Sequence, residues 1–191
     1  MEYDKYLGEF NLKSIIVYGS KYGTAKRYAE KLSEMTNIPA VSYKKIGRLK
    51  EYDLVIHFGS IYAGGIKGLK KTVKSIRKDV KLIIATVGLY DINDEGNVEA
   101  IKKGISSRLS SQIMDNTTIF NLRGSIDYEK LSFAHKQLIK LLCKILKSIP
   151  EDKKMPEQDD MLKCLKSKAD FVDFSLLDQI VDEINSDISK G

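Results

Sequence analysis

Ser20, Lys21, Tyr22, Gly23 and Thr24 follow directly on the apolar stretch Ser14 to Tyr18 and lead into a segment of helical period. Two hydroxyls, a lysine and a string of backbone amides therefore stand at the head of a helix, where amide dipoles favour an anion and a phosphate above all. The spacing is neither Gly-x-x-x-x-Gly-Lys-Ser/Thr nor Gly-x-Gly-x-x-Gly, so P-loop nucleotidases and dinucleotide-binding Rossmann proteins both lose ground. Two further segments, Gly59-Ser-Ile-Tyr-Ala-Gly-Gly and Gly88-Leu-Tyr-Asp, each combine glycine with a tyrosine, Tyr62 and Tyr90. Two aromatics at one edge can sandwich a planar ring by offset stacking. The small residues Ala63, Gly64, Gly65 and Gly88 would let backbone amides reach the polar rim of that ring. A phosphate cradle with two aromatic loops is the chemistry of a flavin mononucleotide (FMN) site.

The elements that must position these residues follow from hydrophobic pattern. Strands are expected at Ser14 to Tyr18, Ala40 to Tyr43, Asp53 to Phe58, Lys81 to Val87 and Thr117 to Phe120, as short runs rich in Val and Ile. Helical segments alternate with them at about Ala25 to Met35, Gly68 to Arg77 and Val98 to Leu109. Alternation of this kind predicts a three-layer, doubly wound α/β domain with a five-stranded parallel sheet. Ligands of such sheets bind outside the carboxyl ends of the strands, where the glycine-bearing segments fall. Beyond the fifth strand come a basic helix at about Leu131 to Ile149, a charged hinge at Pro150 to Pro156, and acid-rich helical stretches at Asp160 to Ser167 and Ser175 to Ile184. The stripe Leu138, Leu141, Leu142, Ile145, Leu146 and Ile149 suits that basic helix to be the last cover of the sheet. Its alternative use is contact with an anionic membrane surface.

The 191 residues carry 42% hydrophobic and 30% charged residues with 3 Pro, the composition of a globular domain. The apolar runs fall far short of the roughly 18 residues of a membrane-spanning helix. With no secretory signal pattern at the start, the expected location is cytoplasmic. The net charge of +6 is concentrated: Lys130, Lys136, Lys140, Lys144 and Lys147 lie in a stretch without acids, and without them 27 basic residues face 26 acidic ones. No nucleic-acid motif accompanies this stretch, so a nucleic-acid partner is not expected. Cys143 and Cys164 read as reduced thiols, and no His/Cys spacing suggests a metal. His57 reads as a core histidine, His135 as a helix-surface histidine, and Arg123 as a salt-bridge residue with a second use as an anion clamp.

The run Ile15-Ile-Val-Tyr-Gly-Ser-Lys-Tyr-Gly-Thr-Ala resembles the phosphate loop that opens flavodoxins. The resemblance continues through Gly59-Ser-Ile-Tyr-Ala-Gly-Gly-Ile-Lys-Gly, Thr86-Val-Gly-Leu-Tyr-Asp and Leu122-Arg-Gly-Ser-Ile-Asp-Tyr, and covers roughly residues 13 to 150. Together these segments look like the flavodoxin-domain branch that includes menaquinone-dependent protoporphyrinogen oxidases. The resemblance implies sheet order 2-1-3-4-5 and an FMN-binding domain over 1–150; residues 151–191 are expected, from their helical stretches, to form an extension packed on that same domain. It further implies that Ser20, Lys21, Tyr22, Gly23, Thr24 and Ala25 hold the phosphate. Ser60, Ile61, Tyr62, Ala63, Gly64 and Gly65 would flank one side of the isoalloxazine, and Val87, Gly88, Leu89, Tyr90 and Asp91 the other. Ala25 departs from the family, which has threonine there, so one hydroxyl contact is lost.

The implied activity is flavin-linked oxidation of a small-molecule substrate, with a quinone or another redox partner as acceptor and protoporphyrinogen oxidation as its sharpest form. Two alternatives stand beside it: a flavodoxin-type electron carrier without a substrate of its own, and a binding module that has lost the cofactor. A peptide around Ala63-Gly64-Gly65 is expected to bond the flavin N5. A net basic chain also places less negative charge around a reduced flavin than an acidic flavodoxin does, which predicts a higher two-electron potential.

Overall fold

The computed structural model describes residues 12–62, 65–148, 150 and 168–188. Two compact units make up the chain: Met1–Gly124 together with Val172–Gly191, and Ser125–Phe171.

In the first unit, β1 (Ser14–Gly19), β2 (Ala40–Ser42), β3 (Leu54–Tyr62), β5 (Lys81–Gly88) and β6 (Thr117–Arg123) are parallel in the order β2-β1-β3-β5-β6. β4 (Gly65–Ile66) turns back antiparallel on the end of β3. Counted along the five parallel strands, this is the expected 2-1-3-4-5 order. The strands form because their Val and Ile runs are buried on both faces, which suits β-branched side chains. Period-two alternation sends Ile16, Leu54, Ile56, Phe58, Ile83 and Ala85 to one face and Ile15, Val17, Val55, Leu82 and Ile84 to the other.

Reversal of direction between β1 and β3 puts the crossovers on opposite faces, since each crossover is right-handed. Helix α1 (Thr24–Thr36), which leads from β1 to β2, packs on the first face through Ala25, Tyr28, Ala29 and Leu32. Helices α2 (Leu69–Ser75), α3 (Glu95–Ser106) and α4 (Ser111–Met114) cover the second through residues such as Leu69, Ile105 and Ile113. Asn37, left-handed at φ 57°, closes α1, and the Asp94 side chain caps α3 by accepting the Asn97 N–H.

Beside α1 the first face is covered by helix α6 (Leu177–Ile188). Leu177, Ile180, Val181 and Ile184 recur at helical spacing and are buried in the same core cluster. The basic helix is α5 (Phe133–Lys147), in the second unit; of its expected stripe only Leu141 has a described side chain, and it is exposed. Both helices carry an apolar stripe, and periodicity alone does not say which surface a stripe meets.

In the second unit β7 (Ser125–Asp127) pairs antiparallel with β8 (Lys168–Asp170). α5 buries Cys143 and His135. His135, expected on a helix surface, is 5% exposed, and its Nδ1 lies 3.1 Å from the Ser132 hydroxyl. The hinge at 150–156, apart from Pro150, and the acid-rich stretch 160–167 lie outside the described residues, as does Cys164.

Candidate functional site

Register alone gathers the three candidate segments. Gly19 of β1 stands level with Gly59 of β3, Ser60 with Val87 of β5, and Gly88 with Arg123 of β6. Neighbouring strands lie about 5 Å apart, so the segments leaving β1, β3 and β5 start within about 10 Å of each other at the carboxyl edge. That edge includes the point where strand order reverses, between β1 and β3.

After β1 the chain turns through Ser20 to Gly23. The Ser20 hydroxyl accepts the Gly23 N–H at 2.9 Å. Gly23 is the N-cap of α1 at φ 99°, a left-handed conformation that side chains rarely adopt. The helix has no side-chain cap hydrogen bond and no acid in its first turn, and the space at the Gly23 Cβ position is open to 4 Å. An N-terminus built in this way suits an anion that supplies the cap from outside, so these residues fit a phosphate. Lys21 and Tyr22 are exposed, Thr24 is buried, and the Ala25 methyl belongs to the core. Ala25, expected at the close of the phosphate loop, is a packing position here.

The second segment differs from its expectation. Gly59, Ser60, Ile61 and Tyr62 continue β3 as strand, and the return strand pairs Ile61 with Ile66 and Tyr62 with Gly65. A Cβ on Gly59 would collide with the Ile66 side chain, so the glycine is needed to let the hairpin fold back. Ala63 and Gly64, including the peptide expected to bond N5, lie outside the described residues. Three bonds secure the return. The Lys67 N–H donates to the Ser60 carbonyl at 3.0 Å. The Lys67 carbonyl lies 3.1 Å from His57 Nε2, and the Thr72 hydroxyl lies 3.0 Å from His57 Nδ1. A carbonyl only accepts, so Nε2 carries the proton and the Thr72 hydroxyl donates to Nδ1. His57 is fully buried, and burial pushes its imidazole down to about 4, so the ring is neutral. The core reading of His57 holds, and its ring also fixes the position of Lys67.

The Lys67 carbonyl in turn lies against Gly19, where any Cβ would overlap it. The first and second segments are thus keyed together by a glycine with no room for a methyl group.

In the third segment Val87 is 4% exposed and belongs to the core, while Gly88, Leu89, Tyr90 and Asp91 are half-buried. The Tyr90 ring lies over Gly88, where a Cβ would collide with it. Its hydroxyl bonds the Thr86 hydroxyl, which donates to Asn121 Oδ1 at 2.7 Å. Thr86 has one proton to give, so Tyr90 O–H donates to Thr86. Burial raises the phenol to about 12. Gly88 therefore makes room for a tyrosine ring folded back on the sheet edge. The Asp91 carboxylate accepts the Asn93 N–H and its carbonyl accepts from Asn97 Nδ2, which shapes the turn into α3.

Sequence reasoning gave His57 no site role and did not single out Lys67, Thr86 or Asn121 as partners of the candidate loops. Thr86 and Asn121 could have been found as polar residues inside otherwise apolar strands, since such residues need partners. Among the described residues no cluster of His, Cys, Asp or Glu could hold a metal ion, and no helix is long and apolar enough to cross a membrane.

Among solved structures, a candidate flavoprotein from Bacteroides uniformis is similar with a TM-score of 0.40 and 17% identity, over 67% of this chain and 97% of its own. No curated protein matches. The family match reaches further: residues 15–153 match the flavodoxin domain, a stretch that runs from β1 through all five parallel strands, and the chain belongs to that family.

Proposed function

We propose that this chain binds FMN at the carboxyl edge of β1, β3 and β5 and works as an oxidoreductase, oxidising a small-molecule substrate and passing electrons to a quinone or another redox partner. The observation that carries this reading is the left-handed Gly23 cap, open in front and tied to Ser20, beside the reversal of strand order. Bound FMN would supply the two-electron chemistry. The chain's own residues would bind and orient it. Ser20, Gly23, Thr24 and the first turn of α1 would hold the phosphate. The β3–β4 hairpin, fixed by His57 through Lys67, would set one wall of the ring site, and Tyr90 the other. In its sharpest form the substrate is protoporphyrinogen and the acceptor menaquinone, a reading supported by the resemblance of the four loops.

The basic helix supports a route to a membrane-borne acceptor. Phe133 is 76% and Leu141 55% exposed on α5, beside the exposed Lys140 and Lys144. Exposed apolar side chains among lysines suit the headgroup boundary of an anionic bilayer.

The deciding experiment is the visible absorption spectrum of the purified protein, followed by FMN titration read through quenching of flavin fluorescence and by turnover with protoporphyrinogen and a quinone analogue. Yellow protein or saturable quenching with substrate-driven reduction supports the oxidase. Tight FMN binding with exchange only to reductase proteins reassigns it as a carrier, and no binding at micromolar FMN removes both redox readings.

A further inference from the structure

A cavity of about 240 Å³ opens on the second face of the sheet, between α3 and the β3–β4 hairpin. Ile61, Ile66, Leu69, Ile101 and Ile105 form an apolar wall, and Tyr90 closes one end. The α3 side is shallow because it presents Ala100 and Gly104 at helical spacing. Gly104 has no conformational need for glycine: its φ is not positive, and a Cβ there would meet only the Arg108 guanidinium, at 3.4 Å. A glycine inside a helix costs stability relative to alanine, and here its effect is to keep the cavity open. The polar groups at the cavity are Asn97 and the exposed Arg108, whose guanidinium folds back to the Gly104 carbonyl, and no carboxylate lines it.

We infer that this cavity is a binding site for a small carboxylate with an apolar body of one or two rings. Apolar cavities of about 150 Å³ take up a benzene-sized ligand, so 240 Å³ leaves room for a second ring but not for a macrocycle. The isoleucine wall selects an apolar body, and the planar guanidinium of Arg108, turned from the Gly104 carbonyl to the ligand, would match a carboxylate in charge and shape. The site is separate from the phosphate loop and does not depend on FMN being the cofactor. It shares Ile61, Gly65 and Tyr90 with the segments expected to flank the ring, so an occupant would press on the same tyrosine.

The test uses the whole chain, without added FMN, and the probe 1-naphthoate, followed by calorimetry and by amide shifts of α3. Saturable binding with a Kd on the order of 0.1–1 mM is expected for a ligand of this size. Gly104→Leu fills the trough on a helix that accepts the change, and should abolish binding while circular dichroism stays unchanged. Arg108→Gln should weaken 1-naphthoate about tenfold and leave the neutral naphthalene-1-carboxamide unaffected. Absence of saturable binding overturns the inference. So does a folded Gly104→Leu protein that binds like the parent, or an Arg108→Gln protein that holds 1-naphthoate as tightly as the parent.

Discussion

The phenol oxygen of Tyr28 accepts the backbone N–H of Asp173 at 3.0 Å, across 145 positions of sequence. The same hydroxyl donates to the Arg123 carbonyl at 2.9 Å, and the ring is fully buried between Phe58 and Phe174. One oxygen thus joins α1, the end of β6 and the segment leading into α6. Tyr28→Phe keeps the ring packing and strands both partners, so it should cost about 1–2 kcal/mol of unfolding free energy in urea. Faster amide exchange should appear first near Asp173.

His57 makes stability depend on pH. Its ordinary value is 6.5 and the buried ring titrates at about 4, so between these values the unfolded chain binds the proton that the folded chain refuses. The stabilisation is fully present above pH 6.5 and is lost as pH falls towards 4, on the order of 3 kcal/mol in all. Urea midpoints between pH 7 and 4 should show this slope. NMR of the imidazole should find His57 neutral at pH 5.5, and protonation near 6.5 would contradict the prediction.

The phosphate loop separates two effects. Gly23→Ala meets no steric obstacle but must hold an alanine at φ 99°, which costs about 1–2 kcal/mol. Ser20→Ala removes the acceptor of the Gly23 N–H and should weaken FMN about tenfold with a smaller loss of stability. Fluorescence quenching and urea unfolding on both variants check the pair. Equal FMN affinity in all three proteins would remove the phosphate from this loop.

The net charge of +6 predicts the direction in which the potential of a bound flavin would move. Fewer acids around a reduced flavin mean less repulsion, so the two-electron couple should lie above that of acidic flavodoxins and shift downward as salt screens the basic residues. Potentiometric titration at low and high salt gives both numbers. A couple as low as that of the acidic carriers is the contrary result.

Membrane contact through α5 should be electrostatic and apolar together. Sedimentation with anionic vesicles should occur at low salt and fall away by about 0.5 M, where screening shortens to a few ångströms. Leu141→Ser should reduce it at constant charge, and failure to pellet at any salt would exclude this route.

Much of this site is legible in the amino-acid sequence because it rests on local chemistry. Strands with Val and Ile on both faces read as buried parallel strands, and the Ser20 to Gly23 turn sits at a strand–helix junction that needs no distant information. What stays hidden depends on partners far away in sequence. The two-residue strand Gly65–Ile66 has no period of its own and exists because Ile66 meets Ile61. β7 is paired by residues 168–170, more than forty positions onward. Tyr90 reads equally well as a ring-stacking residue or as a side chain folded inward; Thr86 and Asn121, one strand apart, decide its resting position. The stripe on α6 has the period of any amphipathic helix, and only its packing with Ile16, Leu54 and Phe58 shows that it covers the sheet.

Because α6 provides that cover, the order of synthesis matters. About fifty residues separate the end of β6 from Leu177. At roughly 5–20 residues per second, a ribosome needs about 3–10 s to make them. Throughout that interval the nascent chain holds the five parallel strands β1, β2, β3, β5 and β6, whose first face still lacks Leu177, Ile180, Val181 and Ile184. For those seconds the sheet exposes an apolar face that α6 will later cover, the condition in which a partly made chain is open to aggregation.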